Sequence, residues 1–135
     1  MVDYEALQAS YGRCLRSKEF IPSFYERLLE RDERVAAMFS STNWTQQNKA
    51  LRRGISIALT YASGSPIVEG SMREMAHVHS LKGRAPVDPA LYVHWRDSLL
   101  EAVEANDPRF TPALRQTWEA ALLKTTDYFS RQYSA

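Results

Sequence analysis

The sequence predicts an all-α domain of six to eight helices, and two kinds of observation carry that expectation. Apolar residues recur at intervals of three and four along most of the chain, and no stretch keeps up the alternation of a half-buried strand. The periodic stretches are also punctuated by cap-and-proline pairs, Asp88-Pro89 and Thr111-Pro112, which suit the first turn of a helix. At 135 residues the chain can form one domain with a real core but not two.

Asp3 can cap a first helix whose inner stripe is Leu7, Tyr11, Cys14 and Leu15. Pro22 suits the first turn of a second, which buries Phe24, Tyr25, Leu28 and Leu29 and leaves Glu26, Arg27 and Glu30 outside. Asp32 starts a short third helix that ends in Val35, Met38 and Phe39. Beyond the polar link of Ser40 to Asn43, Asn43 and Gln46 are spaced like a capping box. They open a fourth helix, about Trp44 to Ala62, whose inner face carries Gln47, Leu51, Ile55 and Ala58. Ser63, Gly64 and Pro66 break it.

The stretch from Val68 to His79 is the most informative. On a helix, Val68, Met72, Met75, Ala76 and His79 fall on one face, and Glu69, Arg73, Glu74 and His77 on the other. Gly83 and Pro86 are expected to stop that helix. His79 thus ends an apolar stripe, whereas His77 lies among charges. Leu91, Trp95, Leu99, Ala102 and Val103 face inward on the next helix, and Leu114, Trp118, Leu122, Thr125 and Phe129 on the last.

Composition excludes several function classes. Hydrophobic residues make up 44% and charged residues 24%, ordinary for a folded domain and unlike a disordered one. A net charge of +1, with 17 basic and 16 acidic residues mixed along the chain, gives no footprint for nucleic acid or an anionic membrane. The single cysteine, Cys14, forbids an internal disulfide and a thiolate metal cluster. The N-terminal stretch lacks a basic-then-apolar signal and no apolar run reaches membrane-spanning length, so the expected location is the cytoplasm.

Five stretches, in order, resemble those of globins, and in particular of single-domain bacterial haemoglobins. Phe24 to Phe39 (FYERLLERDERVAAMF) resembles the segment that brings a tyrosine into the distal pocket and, fourteen positions on, a phenylalanine against the haem. Gln47 to Leu51 (QNKAL) is similar to the distal motif of a glutamine with a leucine one turn later, and Met75 to Gly83 (MAHVHSLKG) to the end of the proximal helix. LYVHWRDSLLEAV and ALRQTWEAALL resemble the last two long helices. The resemblance implies a single globin domain over residues 1–135, with six to eight helices around a haem pocket. The cofactor would be haem b, iron protoporphyrin IX, and it would be bound non-covalently because no CxxCH is present.

The same resemblance implies roles. His79 would be the proximal iron ligand, its second nitrogen held by the carbonyl of Met75 or a nearby hydroxyl, with His77 as fallback. Tyr25, Gln47 and Leu51 would form the distal ligand pocket, Gln46 being the neighbour that could turn inward instead. Phe39, Leu51, Ile55, Met75, Tyr92 and Trp95 would wall the cofactor with Gln47, and Lys49, Arg53, Lys82 and Arg84 are candidate partners for its carboxylates. On spacing alone each apolar member of this set is an ordinary core residue. His94, beside Asp97 and Glu101, reads as solvated.

A phenol O–H and an amide N–H above the iron would slow escape of a diatomic ligand that carries partial negative charge. Two such bonds, each strengthened toward charge, would be worth roughly a hundredfold in release. Two departures from the relatives stand out. Tyr92 comes thirteen positions after His79, which implies a longer loop there, and no acid lies near Tyr133 to make the proximal imidazole strongly electron-donating. The expected function is reversible binding of O2, and also of NO and CO, for oxygen binding or transport or for NO detoxification. NO dioxygenase activity would need an external reductase. The alternatives are a haemless globin-fold module acting in regulation or by protein contacts, and a gas sensor acting on a separate chain. Oligomeric state is not encoded in any motif found.

Overall fold

The computed structural model describes residues 3–134. Among them are seven α-helices: α1 (Tyr4–Leu15), α2 (Phe20–Arg31), α3 (Glu33–Met38), α4 (Trp44–Ala62), α5 (Glu69–Val78), α6 (Tyr92–Asn106) and α7 (Pro112–Gln132). Short 3-10 turns, Pro66–Val68 and Pro89–Leu91, lead into α5 and α6. None of these helices is long and apolar enough to cross a membrane.

The caps form largely where the sequence places them, because a cap depends on neighbours two or three residues away. Asp3 accepts from the backbone N–H of Ala6, Asn43 from that of Gln46 and Thr111 from that of Leu114. Asp32 both ends α2 and caps α3, accepting from the N–H of Arg34 at 2.8 Å. α2 begins two residues before Pro22, which still falls in the first turn, where its missing N–H costs nothing. Gly64, at φ +87°, ends α4 and donates its N–H to Tyr61 O, a left-handed cap that suits glycine.

The inner stripes pack as α2 crosses α6 and as α4 and α6 lie against α7. A few apolar residues fall outside that core. Leu15, expected inward, is 42% exposed because it occupies the last turn of α1, where the chain swings toward α2. Met38, expected with the apolar end of α3, is 45% exposed, and Phe39 and Leu29 are half-buried. His94, expected to be solvated, instead approaches Asp32 at 3.6 Å.

The buried apolar side chains form two separate clusters rather than one. The larger joins α1, α2, α4, α6 and α7 and includes Phe24, Tyr25, Leu51, Ile55, Leu99 and Trp118. The smaller gathers Ile57, Met72, Ala76, Tyr92 and Phe129. Val87 packs against both. Phe39 and Trp95 flank the first, Met75 the second.

A buried polar knot holds the far end together. The Asp107 carboxylate accepts from Ser10 Oγ at 2.7 Å, from Arg13 Nε and an Arg13 terminal nitrogen at 2.5 and 2.9 Å, and from the Arg109 N–H at 2.9 Å. Ser10 in turn accepts from the indole N–H of Trp118. Burial alone would raise this carboxyl, but the hydrogen bonds from Arg13, Ser10 and Arg109 outweigh it and hold it below the ordinary value. A depressed folded pKa contributes stability above the unfolded value, about 3.9, that is lost as pH falls through the folded one. The urea midpoint should therefore lose this contribution only below about pH 4. Asp107→Ala should cost about 2–3 kcal/mol at pH 7 and flatten that acid limb, as urea melts at several pH values would show.

Candidate functional site

The site is built where α5 ends. The helix stops at Val78, not near Gly83 as expected, and His79 is its C-cap. The reason is the loop that follows, which folds back over the helix terminus. Ser80 Oγ donates to His77 O at 2.7 Å, and the N–H groups of Ala85 and Val87 donate to Val78 O and His79 O, each at 3.0 Å. The carbonyls that a longer helix would have satisfied are thus satisfied by the loop. Gly83 lets the two strands of backbone approach so closely, since a Cβ there would stand 2.1 Å from His77 O and 2.3 Å from Val78 O. Gly83→Ala should therefore cost roughly 1–3 kcal/mol in a thermal or urea melt and loosen the loop over α5.

This loop also fixes the histidine. His79 Nδ1 lies 3.0 Å from Ala85 O. A carbonyl only accepts, so in the neutral ring Nδ1 carries the proton and Nε2 keeps its lone pair. The acceptor expected was the Met75 carbonyl or a nearby hydroxyl; the Met75 oxygen instead takes the His79 backbone N–H at 3.2 Å, and the ring bonds to the loop. The half-buried imidazole stands beside Phe129, with ring centroids 6.0 Å apart, and Phe129 in turn meets Tyr92 at 5.9 Å. His77 is exposed, on the opposite face of α5.

Tyr25 and Gln47 come together on the side formed by α2 and α4. Gln47 Nε2 donates to Tyr25 Oη at 3.1 Å. The phenol's own proton has only a long contact, 3.5 Å, to the Gln47 main-chain carbonyl, which holds it weakly. Burial raises the Tyr25 pKa and the Gln47 hydrogen bond lowers it, with burial the larger effect, so the hydroxyl stays protonated and can donate. Gln46 is exposed.

Around Tyr25 stands an aromatic group. Its ring meets Phe24, Phe39 and Trp44 edge-on, with centroids 5.0, 5.8 and 4.9 Å away. Trp44 stacks on Phe39 at 5.8 Å and 13°. The sequence marks Trp44 only as the start of a helix. Its spacing of three from Gln47, on the same face, was the signal that could have found it. The helical period places Phe129 in the core but does not pair it with His79.

The remaining sequence candidates divide by burial. Leu51, Ile55 and Tyr92 are buried, at 7, 0 and 9% exposure, whereas Phe39, Gln47, Met75 and Trp95 are half-buried. Burial pushes the Tyr92 phenol up to about 12, so it is neutral at physiological pH. Lys49, Arg53, Lys82 and Arg84 are all exposed, and nothing in the contacts chooses among them.

Chemically, the arrangement offers one imidazole nitrogen on one side and two hydrogen-bond donors on another. No three histidine, cysteine or carboxylate side chains converge among the described residues, so the protein cannot cage a bare ion at His79. A metal there would need a flat chelate to supply its other ligands. The divided core suits that need, because Tyr25, Leu51 and Ile55 belong to one apolar cluster and Met72, Ala76 and Tyr92 to the other. One imidazole among apolar and aromatic side chains is the donor set that a haem-type macrocycle would need.

No family model matches the sequence, and no curated protein matches it. The structure does resemble the crystal structure of a Pseudomonas aeruginosa PAO1 protein described as structurally highly homologous to a human hemoglobin. The TM-score is 0.92 at 29% sequence identity, and the match covers 98% of each chain. The fold is thus the all-α globin fold that the sequence motifs resembled.

Proposed function

We propose that this chain is a haem-binding globin of the single-domain bacterial kind, holding haem b non-covalently and binding O2 reversibly, with NO and CO as further ligands. The observation that carries the reading is the His79 ring. Its Nδ1–H is committed to a peptide carbonyl while Nε2 is left as a free donor atom, at the edge of the smaller of two apolar clusters. When bound, haem supplies an iron centre able to take up a diatomic gas.

The chain's own residues do the rest. Ala85 O orients the imidazole, and because it is a neutral acceptor it leaves the ring short of imidazolate character. That makes peroxidase-like chemistry a poor match and reversible ligand binding a good one. Tyr25 and Gln47 offer donors to a partly negative ligand, and Leu51, Ile55, Phe39 and Trp95 keep that space apolar and hinder water. Retention of ligand by two donors suits oxygen storage or NO detoxification more than rapid delivery, and detoxification would draw electrons from a separate reductase.

Hemin titration into purified protein tests the reading. A one-to-one complex with a Soret band, reducible and then able to bind CO and O2, is the expected result. Colourless protein that takes up no hemin would replace this reading with a haemless regulatory or interaction module.

A further inference from the structure

Apart from the His79 side of the molecule, the corner between α1 and α2 lies against α4 and leaves a surface hollow of about 330 Å3. Arg16 and Lys18 reach it from the corner and Arg52 from α4, and no acidic residue lines it. Many arginines elsewhere are paired: Arg13, Arg27, Arg31, Arg34, Arg115 and Arg131 all meet carboxylates. Among the described residues, these three cations do not. Arg53, Arg73, Arg84 and Arg96 also lack a carboxylate partner among them, so what marks the hollow is that three cations line one concave surface.

Two further features face the same hollow. Asn48, half-buried on α4, also lines it, and its amide oxygen is buried without a partner. The twelve-residue helix α2 also opens here, but Phe20 donates its N–H to Ser17 O, Pro22 has none and the N-cap residue is Glu19, so its start adds little to the positive set. Two guanidinium forks and an ammonium, with an amide N–H2 beside them, are donors of the kind that recognise a phosphate dianion. One wall is apolar: Leu15, exposed against expectation at 42%, stands there with Pro22. The larger hollow, about 700 Å3 between the ends of α4 and α7, is lined by Ala62, Gly64, Ala113 and Ala120, with Lys124 as its sole cation, and offers no such set.

We infer that the α1–α2 corner binds a small phosphate ester, with Arg16, Lys18, Arg52 and Asn48 on the phosphate and Leu15 and Pro22 against the carbon part. The volume lies at the small end for ligand sites and suits an ester with a single ring-sized group rather than a dinucleotide. The site lies outside the proposed haem pocket and stands whether or not hemin binds.

Calorimetric titration of the whole purified chain with phenyl phosphate tests this. Saturable one-to-one binding is expected, tighter than that of inorganic phosphate, which leaves Leu15 uncovered. Arg16→Ala and Arg52→Ala should each weaken it roughly tenfold or more, and Lys124→Ala should not change it. Asn48→Asp keeps the side-chain size and adds repulsion, so it should abolish binding in a protein whose melting temperature shows it folded. Absence of saturation, or equal loss in the Lys124 variant, would overturn the assignment. Preference for inorganic phosphate would overturn the ester. Binding only to phosphatidic acid vesicles or only to RNA would make the corner a membrane or nucleic-acid surface and also overturn it.

Discussion

Replacing His79 with glycine is expected to remove the proximal imidazole signature from the spectrum of the hemin complex and to weaken hemin binding by more than roughly a hundredfold. Loss of a partner that merely orients such a ligand already costs ten- to a hundredfold, and here the ligand itself goes. His77→Ala should leave both properties intact, since that ring is exposed on the opposite face of α5. Glycine leaves a gap of ring size beside Phe129, so added imidazole should restore the signature. Rescue separates loss of a ligand from collapse of the loop. Loss of the signature in the His77 variant, with His79→Gly unaffected, would move the ligand to the other ring and remove the argument built on Ala85.

Part of this site is legible in the chain and part is not. The caps at Asp3, Asn43 and Thr111 were legible because each is settled by atoms two or three residues away. The inward stripe of α5 was legible from a period of 3.6, and Met72 and Ala76 are buried; His79, half-buried, lies one residue past the helix, where that period no longer holds. The acceptor for its ring was not legible. Ala85 acts through a main-chain oxygen, which any residue would supply, and its position depends on a loop whose path no periodicity describes. Gly83, Pro86 and the long spacing to Tyr92 mark a loop there, but they read equally well as a simple helix stop and do not give its path. Leu15 and Met38 failed for a related reason: a stripe continues to the end of a helix whether or not a neighbour is there to cover it. The knot of Asp107, Arg13, Ser10 and Trp118 joins residues about a hundred positions apart and has no local signature at all.

Tyr25 and Gln47 should govern how fast O2 leaves. Their pairing at 3.1 Å means that removing one frees the other to move as well as deleting a donor. Tyr25→Phe and Gln47→Leu are each expected to speed O2 release by roughly tenfold, and the double variant by roughly a hundredfold if the donors act independently. A double variant no faster than either single would show that they act as one unit. CO carries less charge than O2 and should leave at nearly unchanged rates, which separates lost hydrogen bonds from a pocket that has merely opened. Trp44 sharpens the test, because it contributes no donor to the Tyr25–Gln47 pair yet braces Tyr25 edge-on at 4.9 Å and stacks on Phe39. Trp44→Ala should speed O2 release by loosening the phenol, and in the hemin-free protein it should bring the Tyr25 titration down toward its ordinary value as burial is relieved. Unchanged O2 release in the Tyr25 and Gln47 variants would place both side chains outside the ligand's reach. A shift in the tyrosine titration without a change in release would leave the aromatic group as packing alone.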